Sequence, residues 1–134
     1  MTSFPLRIVT PYGPVYDGKA EELIVRTTGG DLGILAGHVD CVAALGMGRA
    51  TVIIDGVKRY GACIGGMLSV SGGKVTLVPT TFEWAEDINT GWVEESYAEA
   101  NSVLNNKDAK KTDIRLAQAK LRRALVRRSV AADK

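Results

Sequence analysis

The fold is decided by residues 50–64, which read A-T-V-I-I-D-G-V-K-R-Y-G-A-C-I. Two short strand-like runs, 50–55 and 58–64, meet at Asp55-Gly56, and the first of them is rich in β-branched residues. An Asp-Gly pair between such runs is typical of a type I′ turn, because both central residues of that turn need a positive φ. The stretch therefore predicts an antiparallel β-hairpin.

Similar runs recur through the first 82 residues, separated by glycine-rich turns such as Gly29-Gly30 and Gly65-Gly66. The predicted strands are 6–10, 23–28, 32–35, 41–45, 50–55, 58–64, 68–71 and 75–78. Many short strands with no helical segment between them predict an antiparallel β-sandwich or flattened barrel. A parallel sheet is disfavoured, because the crossover helices that it requires are absent.

The apolar pattern changes near Phe82 from a period of 2 to a period of 3.6 residues, which predicts helices. The apolar stripe of the first helix consists of Val93, Tyr97, Ala100 and Leu104. The stripe of the second consists of Ile114, Gln118, Leu121 and Leu125, with Ala117 and Ala124 alongside. Asn89 and Thr112 are the predicted N-caps, and residues 105–108 are the polar break. We therefore expect a sandwich over 1–85 and an antiparallel two-helix hairpin over 86–134.

The two predicted helices carry opposite charges. Residues 83–106 contain six acids and no base, and residues 110–134 contain nine bases and two acids, so net charges of −6 and +7 follow each other in a chain that totals only +2. Pairing between the helices would favour a closed hairpin, although exposed pairs contribute only about 0 to 1 kcal/mol each. This pattern favours a two-part interaction protein over an enzyme built around a pocket.

Catalytic and metal sites are hard to assemble from this sequence. His38 is the sole histidine, no serine stands in a G-x-S-x-G elbow, and residues 29–38 lack the G-x-x-x-x-G-K-[ST] pattern of a phosphate loop. Cys41 and Cys63 are predicted to be free, buried thiols, so no metal ligand set is expected. No apolar run approaches the roughly 20 residues that span a bilayer, and residues 1–5 do not resemble a signal peptide. We expect the protein to stay in the compartment where it is made.

Basic residues cluster on the second helix, at Arg122-Arg123 and Arg127-Arg128 with Arg115 and Lys120 nearby. Three interpretations are open: a solvated face paired with the acidic helix, docking on an acidic protein surface, and binding of nucleic acid. Arginine forks bind carboxylates bidentately, which favours docking. Nucleic acid is disfavoured because no aromatic residues interleave with the arginines.

Several segments resemble one known family. Residues 30–38, G-D-L-G-I-L-A-G-H, resemble the G-x-L-G-I-x-P-G-H signature of the epsilon subunit of bacterial and plastid F-type ATP synthases, with Ala36 in place of the proline. Residues 65–70 and 75–78, G-G-M-L-S-V and V-T-L-V, resemble a second segment of that family, and residues 6–11 and 15–18 also fit. The order and spacing match over essentially the whole chain.

The resemblance implies a non-catalytic rotor subunit. In that family the sandwich binds the gamma subunit and sits on the membrane c-ring, so that proton-driven rotation is coupled to ATP synthesis, and the helical hairpin inhibits ATP hydrolysis when it extends into the alpha/beta catalytic hexamer. The position implied is peripheral, on the cytoplasmic face of the cell membrane, or on the stromal face of the thylakoid if the source is a plastid.

The resemblance also implies roles for individual residues. Asp31 corresponds to the acid that faces the c-ring, and His38 lies in the region that faces gamma. Arg122, Arg123 and Arg127 correspond to basic positions that meet acidic segments of the catalytic subunits.

The ATP-binding version of the hairpin carries I-D-x-x-R-A at the start of its first helix. Here residues 88–93 read I-N-T-G-W-V, so Asn89 replaces the acid and Trp92 replaces the arginine. Because the charged groups are lost, weak or no ATP binding is expected, and no cofactor.

Two other functions fit the composition less well. A sandwich that binds a small ligand, with a helical tail for dimerisation, would need aromatic platforms, but only 6% of residues are aromatic and both tryptophans lie at the junction. A nucleic-acid adaptor would need a basic sandwich, and residues 1–82 carry a net charge of only +1.

Overall fold

A computed structural model describes residues 2–133, which form a β-sandwich followed by a helical hairpin, as predicted. Its strands are β1 Phe4–Thr10, β2 Gly13–Ala20, β3 Glu22–Thr27, β4 Gly30–Leu35, β5 Cys41–Ala44, β6 Met47–Ile54, β7 Val57–Ile64, β8 Met67–Ser71, β9 Lys74–Val78 and β10 Thr81–Trp84. A single 3-10 turn, Ala85–Asp87, leads to helices α1 Thr90–Leu104 and α2 Lys111–Ala131.

These strands form two sheets that pack face to face. Sheet A has the order β2-β1-β9-β8-β5, and sheet B has the order β10-β7-β6-β3-β4. Alternate residues point inward, as in β1, where Phe4, Leu6 and Ile8 are buried between more exposed neighbours. The inward residues of both sheets form one apolar core, whose removal from water is the main stabilising contribution in this half of the chain.

The sequence prediction lacks two of these strands, β2 and β10. β2 reads G-P-V-Y-D-G-K-A and has no regular apolar alternation, so its pairing with β1 makes it a strand. β10 includes Phe82, where the prediction placed the change of pattern. The Phe82 ring covers Gly61 of β7 so closely that a Cβ there would lie 2.3 Å from it, and Trp84 meets Phe82 edge to face at 4.9 Å. The sandwich therefore continues through Trp84.

Within this predominantly antiparallel sandwich, the pair of β1 and β9 is parallel. β1 and β9 pair in parallel with Leu6 opposite Val75 and Ile8 opposite Leu77. A parallel pair needs a long connection between its strands, but that connection need not be a helix. Here it consists of strands β2 to β8, which belong to both sheets, so no crossover helix is needed.

Tight turns depend on glycine at two positions in particular. Asp55 and Gly56 have φ values of 51° and 77°, which confirms the predicted hairpin turn, and the Glu21 carboxylate accepts both of their backbone N–H groups at 3.1 and 2.8 Å. Gly66 has φ of 97°, and a Cβ there would lie 2.0 Å from the carbonyl oxygen of Val78. No side chain fits at position 66, so the Gly65-Gly66 segment can pass directly beside the end of β9.

The N-cap prediction is right for α1 and wrong for α2. The Asn89 side chain accepts the backbone N–H of Trp92 at 3.0 Å, as expected for an N-cap. The N-cap of α2 is Lys110, whose side chain makes no capping hydrogen bond within residues 2–133, and Thr112 already lies in the first turn. The helix begins earlier because the chain reverses in a short turn after Asn105.

The buried face of α2 differs from the predicted stripe. The buried residues of α2 are Ala117, Ala124, Arg127, Val130 and Ala131. Gln118 and Leu125 of the predicted stripe are exposed, whereas Val93 and Ala100 of the α1 stripe are buried as predicted. Alanines let α2 approach its neighbours closely, so the helix is rotated by about one residue, roughly 100°, from the orientation that its larger side chains indicate.

A second apolar cluster joins the hairpin to the outer face of sheet B, where α2 packs on β6 and β7. It consists of Ala62, Ala85, Ile88, Val93, Ala124, Val130 and Ala131, with Tyr60, Tyr97 and Val126 partly buried around it. Four of its seven buried members are alanines, so each contributes little buried area. The hairpin is therefore docked on the sandwich by a thin apolar contact.

Both cysteines are free within the described residues, but they differ in burial. Cys63 lies in the sandwich core, and burial raises the pKa of its thiol to about 12. Cys41 is only half-buried, which corrects the prediction that both thiols are buried.

The two thiols should therefore react at very different rates. Because the thiolate is the nucleophile, a pKa of about 12 leaves only about one Cys63 in ten thousand reactive at pH 8. We expect a disulfide reagent to modify one thiol per native chain and two per unfolded chain, as followed by absorbance. Cys41→Ser should abolish the native reaction, and rapid labelling of that variant would contradict the burial of Cys63.

Candidate functional site

The signature segment is the edge strand of sheet B. Among the strands of residues 2–133, β4 pairs only with β3. Asp31, near its start, is exposed and faces Arg26, with 3.4 Å between Nη1 and Oδ1. His38 follows the other end of the strand in an exposed turn, where its Nδ1 lies 2.8 Å from the Val39 carbonyl oxygen. Asp31 and Leu35 lie about 13 Å apart along the strand, and His38 lies beyond Leu35, so the two predicted interface residues do not form one site.

The junction between sandwich and hairpin is organised around Arg127. This arginine is 8% exposed, and its Nε donates to Glu83 Oε1 at 2.6 Å. Its guanidinium also lies over the Trp92 ring, 5.2 Å from the centroid. A cleft of about 420 Å³ opens beside these groups. Arg127 therefore points inward, toward the chain's own groups, in this closed arrangement.

Four arginines at the junction share this kind of environment: each lies over an aromatic ring and pairs with a carboxylate. The sets are Arg49 with Tyr60 and Asp133, Arg59 with Trp84 and Glu86, Arg127 with Trp92 and Glu83, and Arg128 with Tyr97 and Glu94. Planar guanidinium groups suit this arrangement, because they stack on rings while their N–H groups reach an acid. Each set joins segments that are separate in the chain.

The opposite charges of the two helices do pair. Arg128 donates two hydrogen bonds to Glu94, both at 2.8 Å, and these bonds raise the pKa of the Arg128 guanidinium. Lys120 pairs with Glu99 in the same way across the hairpin. By contrast, Arg122 is exposed and Arg123 is half-buried, and neither forms an ion pair within residues 2–133. These two basic groups are available to a partner.

Sequence reasoning missed several members of this junction. Glu83 and Arg127 are 44 positions apart, and Arg49 and Asp133 are 84 apart. Periodicity reports only which face of one element is apolar, so it cannot pair residues across such distances. The sequence feature that pointed to these ion pairs was the excess of acidic residues before residue 107 and of basic residues after it.

The described residues place limits on other chemistries. No group of three histidine, cysteine, aspartate or glutamate residues in them could hold a metal ion. No helix among them is both long and apolar enough to cross a membrane.

The sequence and the family comparison agree on one family. The family model described as the ATP synthase Delta/Epsilon chain, beta-sandwich domain, matches residues 3–85. The chain is 40% identical over 131 residues to the ATP synthase epsilon chain of Bacillus velezensis, with 98% of each chain covered. It belongs to the ATP synthase epsilon-chain family. The epsilon chain of Ruminococcus albus is 36% identical over 132 residues, again with 98% of each covered.

Two solved structures share the fold of this epsilon-family chain. One is a chain in the cryo-EM structure of the Euglena gracilis mitochondrial ATP synthase containing OSCP, F1 and the c-ring, with a TM-score of 0.83, 20% identity, and 96% of this chain and 81% of that chain covered. The other belongs to the central stalk and c-ring of the Tetrahymena thermophila enzyme, with a TM-score of 0.62, 11% identity, and 95% of each chain covered.

The start of α1 in this epsilon-family chain departs from the ATP-binding motif described above. The Asn89 oxygen already accepts the N–H of Trp92, and the neighbouring cation, Arg127, is taken by Glu83. Trp92 presents a ring where the ATP-binding motif has arginine. The acid and the free cation of that motif are therefore both missing.

This epsilon-family chain should bind ATP weakly or not at all. Calorimetric titration of the full chain is expected to show no saturable binding at millimolar ATP, because the start of α1 has no basic residue and the nearby Arg127 is paired with Glu83. A variant with Asn89→Asp, Trp92→Arg and Val93→Ala, which restores the motif, is the matched comparison. Saturable binding by the original chain at or below millimolar ATP would contradict this prediction.

Breaking the Glu83–Arg127 pair should weaken hairpin docking. Glu83→Gln leaves the buried Arg127 without a carboxylate, and we expect a loss of about 1–3 kcal/mol in the free energy of unfolding, followed by tryptophan fluorescence in urea. Lys120→Gln, which breaks an exposed pair, should cost only about 0–1 kcal/mol. Adding Arg127→Met to Glu83→Gln should recover most of the loss. If Glu83→Gln and Lys120→Gln lower the free energy of unfolding equally, the burial of Arg127 does not strengthen its ion pair.

Proposed function

We propose that this chain is the non-catalytic central-stalk subunit of an F-type ATP synthase, with a sandwich over residues 1–85 that binds the rotor and a regulatory hairpin over 86–134 that inhibits ATP hydrolysis. Family membership over nearly the full length carries the first part of this proposal. The rotor role is supported by the source of the similar Euglena chain, an assembly that contains F1 and the c-ring. The complex would place the chain peripherally, at the cytoplasmic face of the membrane.

The sandwich offers two surfaces for rotor contacts. The outer face of sheet A carries a row of uncharged residues, Ala44, Met67 and Val78, which lie opposite one another on adjacent strands and are exposed, as is Val42 in the next row. Contiguous exposed apolar residues are typical of a protein interface. We assign this face and His38, three residues before β5, to the gamma subunit. Asp31, at the opposite end of β4, is assigned to the c-ring.

The hairpin has features of an element with a second partner. Its docked contact is poor in large apolar groups, while Leu116 and Leu125 of α2 are 69% and 43% exposed. Arg122 and Arg123 on the same helix have no acidic partner in the described chain. Apolar and basic groups of α2 are thus left for the acidic surface of the alpha/beta catalytic hexamer. A two-state element of this kind needs comparable contacts in both states.

Arg127 differs from Arg122 and Arg123 because it is not available to a partner while the hairpin is docked. It is held by Glu83 and Trp92 when the hairpin is docked, so it can contact a catalytic subunit only after the hairpin leaves the sandwich. Arg122 and Arg123 could make the first contacts, and Arg127 would follow. The inhibitory arginines therefore differ in the order in which they become available.

ATPase assays of a reconstituted catalytic complex test the inhibitory role. Full-length protein should lower the hydrolysis rate by at least about five-fold, as expected for coupling between two states. A chain ending at Asp87, which keeps β10 and its core residues, should not inhibit. Equal rates with the two chains would exclude inhibition by the hairpin but leave the rotor role standing.

Charge reversal separates specific contact from general loss of structure. Arg122→Glu with Arg123→Glu should relieve most of the inhibition, because like charges would then face the acidic surface. Lys107→Glu with Lys110→Glu makes the same change in charge at the hairpin turn and serves as the control. If both pairs relieve inhibition equally, net charge and not these two arginines is responsible.

A further inference from the structure

A charged cleft of about 590 Å³ separates the outer face of sheet B from the end of α2, and its lining includes Arg26, Asp31, Arg49 and Ser129. Two ion pairs flank it. Arg26 pairs with Asp31 at 3.4 Å, and Arg49 pairs with Asp133, beyond the end of α2, at 2.8 Å. The cleft thus connects the exposed acid of the edge strand with the last residue of the hairpin that the structure describes.

The two arginines line the same cleft. The Arg26 side chain crosses β6 at Gly48, where an added Cβ would lie 2.7 Å from Arg26 Cβ. Arg49 is the next residue of β6. The hydrogen bond to Asp133 raises the pKa of Arg49, and the charge of Asp31 acts in the same direction. Arg49 is therefore within the electrostatic reach of both acids.

The sign of the coupling follows from the order of charges. Asp31 attracts Arg26 and Arg49 and repels Asp133, so it weakens the field that holds Asp133. When the charge of Asp31 is neutralised, both arginines act on Asp133 without this competition. All four side chains are partly exposed, so the effect is moderate, and salt screens it over about 10 Å.

We propose that Asp31 is coupled to Asp133 through Arg26 and Arg49, so that a basic group of a partner that pairs with Asp31 tightens the docking of the end of α2 on the sandwich. This proposal rests on the proposed function only in that a partner meets Asp31. By reciprocity, a docked hairpin strengthens the binding of that basic group. Contact at the edge strand would then favour the closed hairpin.

Hydrogen exchange of the isolated full-length chain tests the coupling without any partner. Asp31→Asn, which mimics neutralisation, should slow amide exchange in residues 125–132 by about two- to five-fold at about 20 mM salt, and the effect should vanish at about 500 mM salt. Asp133→Asn should speed exchange in the same segment. With Asp133→Asn already present, Asp31→Asn should have no further effect.

The matched control is Asp17→Asn, which removes the same charge from an exposed position on β2 in the other sheet. It should leave exchange in residues 125–132 unchanged. Equal effects of Asp31→Asn and Asp17→Asn, faster exchange in Asp31→Asn, or an effect that survives in the Asp133→Asn background would each overturn the proposal. These outcomes are independent of the ATPase assay, so failure of the coupling and failure of the inhibitory role remain distinguishable.

Discussion

The structure depends on the alternation of one short strand, β10. Its period of two sends Phe82 and Trp84 into the sandwich core and leaves Glu83 on the outer face of sheet B. The same four residues therefore close the sandwich and provide the carboxylate that holds Arg127 of the hairpin. Ala62 of β7 lies opposite Glu83, and its small side chain makes room for α2 above the sheet. A slip of β10 by one residue would turn Glu83 into the core and Phe82 and Trp84 out of it. The strand would then lose both functions.

Two ion pairs, Arg127 with Glu83 and Arg49 with Asp133, add to the thin apolar contact between the hairpin and the sandwich. Each of the four arginine sets combines an aromatic ring with an acid, and a cation over a ring contributes about 0.5–1 kcal/mol at exposed sites. The strength of these contacts depends on salt and on neighbouring charges, whereas the burial of the sandwich core does not. The chain is thus divided into a part stabilised by apolar burial and a part whose position depends on charge.

The helices and strands could be predicted from the sequence more accurately than the way they pair and pack. Runs such as 58–64 and the Asp55-Gly56 turn have strong local signals, and the strands and turn form where expected. β2 was missed because only its partner makes it a strand. The buried face of α2 was predicted wrongly because its largest apolar side chains form a periodic stripe. In the structure the alanines are buried instead. For the site, residue types were informative, but the separation of Asp31 from His38 and the burial of Arg127 are properties of tertiary structure.

The alanine face of α2 has a kinetic consequence. Alanine has no side-chain rotamers, so Ala117, Ala124 and Ala131 can leave the surfaces beneath them without any change of χ angle. Large interlocking side chains would have to rearrange together before the helix could move. The contacts that release must break are then the buried Val130 and the ion pairs of Arg127 and Asp133. If the hairpin leaves the sandwich as proposed, its alanines favour release within the microsecond to millisecond range of helix and domain motions.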